Sequence, residues 1–161
     1  MSAVLKPQSW QLVPMTEADI AHVVAVENSI YDFPWTPGNF GDSLKAGYSC
    51  WLSVEEGAIS GYAVVMVAVG EAHLLNLSVA RAAQGRGLGT QLLDGVMAAA
   101  LAHGAHDMLL EVRPSNAAGR SLYAKAGFVQ LGVRKDYYPA RGGREDALVL
   151  GRSLLDSRGA R

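Results

Sequence analysis

The hexapeptide Gln84-Gly85-Arg86-Gly87-Leu88-Gly89 lies between a segment with the pattern of a β-strand and a segment with the pattern of an α-helix. A glycine-rich turn at that place exposes backbone N–H groups beside a helix N-terminus, and both features attract phosphate or pyrophosphate. Side chains at Gly87 or Gly89 would hold phosphate oxygens away from these N–H groups. The hexapeptide is therefore the candidate anion-binding loop of the chain.

Other glycine-rich motifs fit this loop less well. A P-loop requires a lysine directly after its last glycine, and here Thr90 follows Gly89. A dinucleotide-binding fingerprint requires Gly-x-Gly-x-x-Gly, and its third glycine is missing whether counted from Gly85 or from Gly87. Glu111 does end the next predicted strand, near where a ribose-binding acid would sit, but several strands precede the loop instead of one. A dinucleotide site and a glycine-rich turn without ligand remain the alternatives.

Strand and helix patterns alternate on both sides of the loop. In chain order they predict a strand at 10–14, a helix that Thr16 and Asp19 open, a helix from Thr36-Pro37 to Gly47, strands at 51–54, 62–69 and 73–79, a helix at 90–103, a strand at 108–112, a helix at 117–126, and strands at 128–133 and 147–150. The order β-α-α-β-β-β-α-β-α-β-β predicts an α/β (α+β) fold in which helices flank a mixed, mostly antiparallel sheet.

Length and composition predict one domain. The chain has 161 residues and 17.0 kDa, and half of its residues are hydrophobic. A domain takes roughly 100–200 residues, so a single core accounts for the whole length. We expect the domain to span residues 1–155 and a polar C-terminal tail to span 156–161.

Charge and composition also argue against several classes of function. Fourteen Lys and Arg against fifteen Asp and Glu do not make the basic surface of a general nucleic-acid binder. The longest apolar run, residues 62–69, is far shorter than the about 20 residues of a membrane span. The N-terminus has no secretory pattern, which predicts a cytoplasmic protein. A single cysteine, Cys50, and four histidines without ligand spacing predict neither a disulfide nor a metal site.

The pattern Gln84-x-x-Gly87-x-Gly89 resembles the acetyl-CoA signature of the GNAT family of N-acetyltransferases. Other segments that match this family are Asn76-Leu77-Ser78-Val79, Leu110-Glu111-Val112-Arg113, Ser115-Asn116-Ala117-Ala118, Leu122-Tyr123 and Gly127-Phe128. Within the family, Phe33-Pro34-Trp35 and Tyr137-Tyr138-Pro139 with Glu145-Asp146-Ala147 are similar to bacterial ribosomal-protein-alanine N-acetyltransferases of the RimI type. The resemblance covers about residues 10–151 and implies a single-domain GNAT fold.

The resemblance implies that acetyl-CoA is the co-substrate and that no metal takes part. It also implies which residues would hold acetyl-CoA. Backbone groups of Leu77, Ser78 and Val79 would face the pantetheine arm and thioester. The pyrophosphate would lie against Gly85, Arg86, Gly87, Leu88, Gly89 and Thr90, and Asn116 would contact the pantetheine region. Gly85 departs from the arginine that relatives often carry there.

Acetylation of an amine by a thioester requires two proton transfers. The ammonium group must lose a proton before it attacks, and the thiolate leaving group benefits from gaining one. Glu111 lies in the apolar run 108–112. This position predicts that its carboxylate is half-buried, has a raised pKa and acts as general base. Tyr123 is implied as general acid. The alternatives are that Glu111 is solvated or paired with Arg113, and that Tyr123 is a core aromatic.

Five aromatic residues in predicted loops are candidate walls of a peptide groove, namely Tyr31, Phe33, Trp35, Tyr137 and Tyr138. Four acids, Glu27, Asp32, Glu145 and Asp146, would favour a basic peptide. The alternatives are aromatic anchors of the core and solvated surface acids.

The resemblance implies transfer of acetyl to the N-terminal alanine of a ribosomal protein, small-subunit ribosomal protein eighteen. The charge balance and the short apolar runs described above predict no direct contact with nucleic acid or membrane. Three other functions stay open at this point: acetylation of a small amine or antibiotic, a CoA-binding module without catalysis, and a dinucleotide-dependent oxidoreductase.

Overall fold

The structure, a computed structural model, describes residues 10–155. The strands in this range are β1 (Trp10–Pro14), β2 (Ser49–Glu55), β3 (Ala58–Ala68), β4 (Glu71–Val79), β5 (Asp107–Val112), β6 (Val129–Ala140) and β7 (Gly143–Ser153). They form one sheet in the order β1-β2-β3-β4-β5-β7-β6. Neighbouring strands are antiparallel except β4 and β5, which are parallel. The mixed, mostly antiparallel sheet predicted from the sequence is confirmed.

The helices are α1 (Ile20–Ile30), α2 (Pro37–Lys45), α3 (Leu88–Ala102) and α4 (Ala117–Lys125), with short 3-10 turns at Glu17–Asp19 and Arg81–Ala83. The predicted caps are formed: Thr16 and Asp19 make a reciprocal capping box, and the Thr36 hydroxyl accepts from the Asn39 N–H at 3.1 Å. Helix α3 begins two residues before the predicted position 90, because its N-cap is Gly87.

Two apolar clusters pack on opposite faces of the sheet. One cluster joins β3, β4 and β5 to α3 and α4, and the other joins β2 and β3 to α1 and α2. Along β5 the side chains of Met108, Leu110 and Val112 are buried in the first cluster. Because side chains alternate along a strand, Glu111 lies on the opposite face from α3.

Strands β4 and β5 separate before either of them ends. Their pairing begins at Glu71 with Asp107 and stops at Leu74 with Leu110, although β4 continues to Val79. The register between β3 and β4 shifts at the same level, which leaves Leu75 as an extra residue in β4. The β5-facing edge of residues 75–79 is therefore free of strand pairing, and a gap opens between the two strands.

The hairpin of β6 and β7 corrects one prediction. The sequence pattern places Tyr137 and Tyr138 in a loop, but both lie within β6. The pairing register shifts between Arg134 and Tyr138, and Asp136 takes a positive φ of 51° inside this bulge. The bulge interrupts the alternation of side chains, so the segment does not show the pattern of a strand.

None of the helices within residues 10–155 is long and apolar enough to cross a membrane. Across the same residues, no three His, Cys, Asp or Glu side chains are grouped so as to hold a metal ion. Cys50 is buried. The predicted tail at 156–161 lies outside the described residues.

Candidate active site

A groove of about 920 Å³ occupies the gap between β4 and β5. It is lined by all predicted catalytic, cofactor-binding and aromatic residues except Arg86 and Tyr137, namely Tyr31, Phe33, Trp35, Leu77, Ser78, Val79, Gly85, Gly87, Leu88, Gly89, Thr90, Glu111, Asn116, Tyr123 and Tyr138. Four parts of the chain thus meet at this groove: the segment between α1 and α2, the glycine loop, the start of α4 and the β6 bulge.

The glycine loop presents the N-terminus of α3 to the groove. Gly85 and Gly87 have φ angles of +81° and +78°, which residues with a side chain rarely adopt. The Gln84 side chain donates to the Val79 carbonyl at 3.0 Å and ties the loop to the end of β4. The first N–H groups of α3 have no acceptor within the helix, and the helix dipole adds partial positive charge. The loop therefore fits the pyrophosphate of a nucleotide cofactor.

Arg86 differs from this pattern. Its guanidinium forms an ion pair with Glu55 of β2, with Nη2 2.6 Å from Oε1, and the side chain does not line the groove. The Arg86 side chain is thus held by Glu55, and the predicted contact of Arg86 with the pyrophosphate stays a prediction that rests on its backbone N–H group. The distant Glu55 is not recognisable as its partner from the sequence.

Glu111 is nearly buried, with 8% of its side chain exposed, and both of its oxygens have a basic partner. Oε1 lies 2.6 Å from His73 Nε2, and Oε2 lies 3.4 Å from Arg134 Nε. Burial alone would raise the pKa of Glu111, but the hydrogen bond and charge of His73 and the charge of Arg134 outweigh it, and the net pKa is lowered. The raised pKa predicted from the apolar strand is therefore wrong. Arg113, the partner considered above, pairs instead with Glu145 at 3.2 Å.

Arg113 connects three parts of the groove wall. Its guanidinium lies 4.4 Å from the centre of the Tyr138 ring and 5.7 Å from that of Phe33. It also donates to the Pro139 carbonyl at 2.9 Å. Since cation–π contacts and this hydrogen bond all hold one side chain, Arg113 fixes the aromatic residues 33 and 138 relative to the end of β5.

Tyr123 belongs both to the core and to the groove. Its ring packs edge-on against Phe128, with the ring centres 5.7 Å apart, and 8% of the residue is exposed. No residue in the described range hydrogen-bonds its hydroxyl, which lines the groove. Burial, with smaller contributions from Tyr31 and Tyr138, raises the pKa of Tyr123. The phenol therefore keeps its proton at neutral pH and has it available for a ligand.

Asn116 is the N-cap of α4. Its Oδ1 accepts from the Gly119 N–H at 2.9 Å, which places the side chain at the rim of the groove.

A buried carboxylate, Glu27, organises the floor of the groove, although the sequence pattern predicts it as an acid that favours a basic peptide or lies on the solvated surface. Glu27 of α1 is 2% exposed and accepts from the Trp35 N–H at 2.9 Å, the Tyr62 hydroxyl at 2.7 Å and the Asn76 amide at 3.2 Å. It thereby holds the segment after α1 against β3 and β4. The sequence does contain a signal for it, because Glu27 stands four residues after Val23, on the apolar face of α1.

The same network continues to the groove surface. The Ser78 hydroxyl donates to Asn76 Oδ1 at 2.7 Å, and the Tyr31 hydroxyl lies 2.6 Å from Ser78 Oγ. Tyr31 is thus fixed over the unpaired edge of β4. The resemblance to the family includes Asn76 only as part of the segment 76–79, and its connecting role follows from the structure.

The other predicted acids and aromatics have partners inside the protein. Asp32 pairs with Arg141 at 3.5 Å, and Asp146 accepts from the Asp136 N–H at 2.9 Å. Tyr137 is 43% exposed, contacts the Tyr138 ring edge-on and does not line the groove. Asp32 and Glu145 also line the smaller cavity described next, so a contribution of these acids to the binding of a basic peptide stays a prediction.

A smaller cavity of about 340 Å³ adjoins the groove at the end away from the glycine loop. It shares Tyr31, Phe33 and Arg113 with the groove and adds Ser115 and Glu145. The groove thus has an anion-binding end, a central carboxylate and phenol, and an aromatic end that opens into a second cavity.

Comparisons with known proteins agree with this geometry. Residues 20–128 match the model of the acetyltransferase (GNAT) family. The chain is 33% identical over 132 residues to the ribosomal protein bS18-alanine N-acetyltransferase of Escherichia coli strain K12, covering 82% of this chain and 89% of that enzyme. It is 34% identical over 133 residues to the enzyme of the same name from Haemophilus influenzae, covering 82% of this chain and 90% of the relative.

A solved structure supports the same relationship. The crystal structure of the ribosomal-protein-S18-alanine N-acetyltransferase from Escherichia coli superimposes with a TM-score of 0.84 at 30% identity, covering 90% of this chain and 94% of the other. The family match spans both the glycine loop and the strand that carries Glu111. The chain therefore belongs to the GNAT family of N-acetyltransferases, enzymes that take their acetyl group from acetyl-CoA.

Proposed function

We propose that this enzyme transfers acetyl from acetyl-CoA to the N-terminal alanine of a ribosomal protein, with ribosomal protein bS18 as the target and the cytoplasm as the place of reaction. The observation that carries the proposal is that Glu111 and Tyr123 line one groove, between a glycine loop and a set of aromatic residues. The names of the two relatives above supply the acceptor.

Acetyl-CoA lies along β4 in this proposal. Its pyrophosphate binds the N–H groups of residues 85–90, and its pantetheine arm and thioester hydrogen-bond the unpaired backbone of residues 77–79. Asn116 contributes its amide NH₂ group to the pantetheine, since its Oδ1 is used by the helix cap. A backbone N–H at the end of β4 polarises the thioester carbonyl.

Glu111 takes the proton from the substrate α-ammonium group, directly or through one water. An α-amino group has a pKa of about 7.7–8.0, so a carboxylate that is already ionised can assist its deprotonation at neutral pH. The lowered pKa of Glu111 keeps the carboxylate ionised. The free amine then attacks the thioester carbonyl, and an amide bond replaces the C–S bond.

Tyr123 donates the proton that CoA requires as it leaves. Its pKa is raised by burial, so the phenol stays protonated where the reaction runs. The peptide enters from the aromatic end, between residues 31–35 and Tyr138, and its following residues extend toward the smaller cavity. A groove that continues into a second cavity accommodates an extended peptide terminus.

Mass spectrometry with three acceptors tests the substrate. The enzyme and acetyl-CoA are incubated with a peptide beginning Ala-Arg, with an N-terminally blocked copy that contains lysine, and with a panel of small amines. We expect one acetyl group on the free alanine terminus alone. Acetylated small amines with an unmodified peptide would replace the proposed acceptor, and binding of acetyl-CoA without any transfer would favour a binding module.

Tyr123→Phe is expected to lower kcat by about 10²-fold, the lower end of the usual contribution of a general acid, because a thiolate of pKa about 8.5 still leaves without a proton donor, only more slowly. The ring keeps its packing on Phe128, so the free energy of unfolding should change little. The raised pKa also predicts no fall in wild-type kcat from ionisation of Tyr123 below about pH 10. Steady-state release of the CoA thiol measures the kcat of the variant and the pH dependence of the wild-type kcat.

Tyr137→Phe is the control for that variant, because Tyr137 is exposed and lies outside the groove. Its kcat should equal that of the wild type. An unchanged kcat for Tyr123→Phe from about pH 6 to 9 would remove the acid role from Tyr123.

A further inference from the structure

Glu27 is a buried acid of the groove that the proposed mechanism does not use. It lines the groove although only 2% of the residue is exposed. Its two oxygens receive hydrogen bonds from three donors, namely the Trp35 N–H, the Tyr62 hydroxyl and the Asn76 amide. An ionised carboxylate accepts hydrogen bonds and donates none, so this set of partners suits the charged form of Glu27.

The charge of Glu27 is not balanced by an ion pair. Glu111, the other acid that lines the groove, lies 3.4 Å from Arg134, and Arg113 is paired with Glu145 at 3.2 Å. No basic side chain within residues 10–155 forms an ion pair with Glu27. Glu27 therefore contributes a negative charge that the other paired groups of the groove do not cancel.

Arg81 lines the groove as well, but its charge lies in a different environment. Its side chain is exposed, and its Nε donates to the Ser29 carbonyl at the end of α1 at 2.7 Å. Water and dissolved ions screen an exposed charge far more than a buried one. The field of Glu27 also reaches the groove wall, because burial raises the pKa of Tyr31, the hydrogen bond with Ser78 lowers it, and the charge of Glu27 adds to the rise.

We propose that the buried charge of Glu27 selects the charged α-ammonium group of the acceptor and draws it into the groove that Glu111 also lines. This inference rests on the proposed function, because it concerns the terminus of the same peptide. A cation is favoured over a neutral group in a groove with an unbalanced negative charge, and poorly hydrated walls strengthen the attraction. The same field opposes loss of the proton, so Glu27 acts on binding and Glu111 carries out the deprotonation.

Two peptides that differ only in their terminal group test this inference. One begins Ala-Arg, and in the other a lactoyl group replaces the alanine, so that a neutral hydroxyl takes the place of the ammonium group. CoA is used in place of acetyl-CoA so that no transfer occurs, and calorimetric titration at about pH 6.5, where the α-amino group is mostly protonated, gives both Kd values.

We expect the wild type to bind the alanine peptide about 10-fold more tightly than the lactoyl peptide, as for two unit charges partly shielded by water. This Kd ratio should persist in about 0.5 M salt, because a buried charge is screened little. A ratio that disappears at high salt would assign the attraction to exposed acids such as Asp32 and would overturn the proposal.

Glu27→Gln removes the charge and keeps the size of the side chain. The Kd ratio should fall to about 1, the KM of the alanine peptide should rise by about 10-fold, and kcat should not fall. Glu17→Gln, which removes an exposed carboxylate just before α1, is the matched control and should keep the wild-type ratio.

Tyr62→Phe separates the charge of Glu27 from its packing. This variant removes one hydrogen bond from the same carboxylate and leaves the charge in place, so the Kd ratio should stay at the wild-type value. Loss of the ratio in Tyr62→Phe as well as in Glu27→Gln would assign the effect to the shape of the groove and overturn the proposal. A wild-type ratio near 1, or an unchanged ratio in folded Glu27→Gln, would overturn it too.

The wild-type titrations also distinguish failure of this inference from failure of the proposed function. Equal Kd values for the two peptides, together with acetyl transfer from acetyl-CoA to the alanine peptide, would keep the acceptor and remove the role of Glu27. Binding of neither peptide would remove the proposed acceptor and the inference with it.

Discussion

Glu111→Gln is expected to lower kcat by about 10²–10⁴-fold, the usual contribution of a general base, while the Kd of acetyl-CoA stays close to that of the wild type. The carboxamide has the size of the carboxylate and its oxygen still accepts a hydrogen bond from His73, but it takes no proton from an ammonium group. Arg134 loses its charged partner at little cost because 56% of its side chain is exposed. Steady-state kinetics with an Ala-Arg peptide and calorimetric titration of acetyl-CoA measure the two quantities separately.

Glu71→Gln is the control for this variant, since it removes an exposed carboxylate from the same sheet at the start of β4. It should leave kcat unchanged. A Glu111→Gln enzyme with wild-type kcat would show that Glu111 has no role in proton transfer. A Glu111→Gln enzyme whose acetyl-CoA affinity falls in parallel with kcat would show that Glu111 contributes to binding instead.

The lowered pKa of Glu111 also gives a pH dependence of stability with a definite sign. A carboxyl group whose pKa is lower in the folded state contributes stability above its unfolded pKa of about 4.3 and loses it as the pH falls through the folded value. The wild type should therefore lose its stability advantage over Glu111→Gln at acidic pH and keep it at neutral pH. Urea unfolding of both proteins at a series of pH values measures this difference.

Local signals predict most of the elements and the glycine loop, whereas the resemblance to the family supplies most of the other groove-lining residues. The caps at Thr16 and Thr36 and the three glycines of the loop act over a few residues, so their effect is visible in the sequence. The strand alternation at 108–112 likewise places Glu111 on the face opposite Met108 and Leu110. Each of these predictions depends on interactions between near neighbours in the chain.

Contacts between distant segments explain what the sequence did not predict. The gap between β4 and β5 depends on the extra residue Leu75 and on where pairing ends, which no local pattern specifies. The pKa direction of Glu111 depends on His73 and Arg134, which are brought to it by β4 and β6. The orientation of the Arg86 side chain also depends on a distant residue, because it pairs with Glu55 of β2.

Gly87→Val is expected to raise the Kd of acetyl-CoA by about 10–100-fold, which corresponds to the loss of charge-assisted hydrogen bonds worth about 1.5–3 kcal/mol. Gly87 is the N-cap of α3 at φ +78°, and a Cβ there meets no protein atom within 4 Å. The substitution therefore lowers affinity through the strained backbone conformation and through lost contacts with the ligand, and not through a clash inside the protein. A β-branched residue disfavours this φ angle, so the loop shifts and its N–H groups no longer converge on the pyrophosphate.

Gly104→Val is the matched control, because Gly104 follows α3 at φ +92°, also has open space around it and does not line the groove. Both variants should lose stability by about 1–3 kcal/mol from the same kind of backbone strain. Only Gly87→Val should weaken binding of acetyl-CoA, measured by calorimetric titration at a temperature where both proteins are folded.

If both variants bind acetyl-CoA as the wild type does, binding of its phosphate groups does not depend on the conformation of this loop. If both weaken equally, the effect is one of stability. A loss confined to Gly87→Val ties the left-handed turn before α3 to the cofactor, since the two variants differ only in which end of that helix they alter.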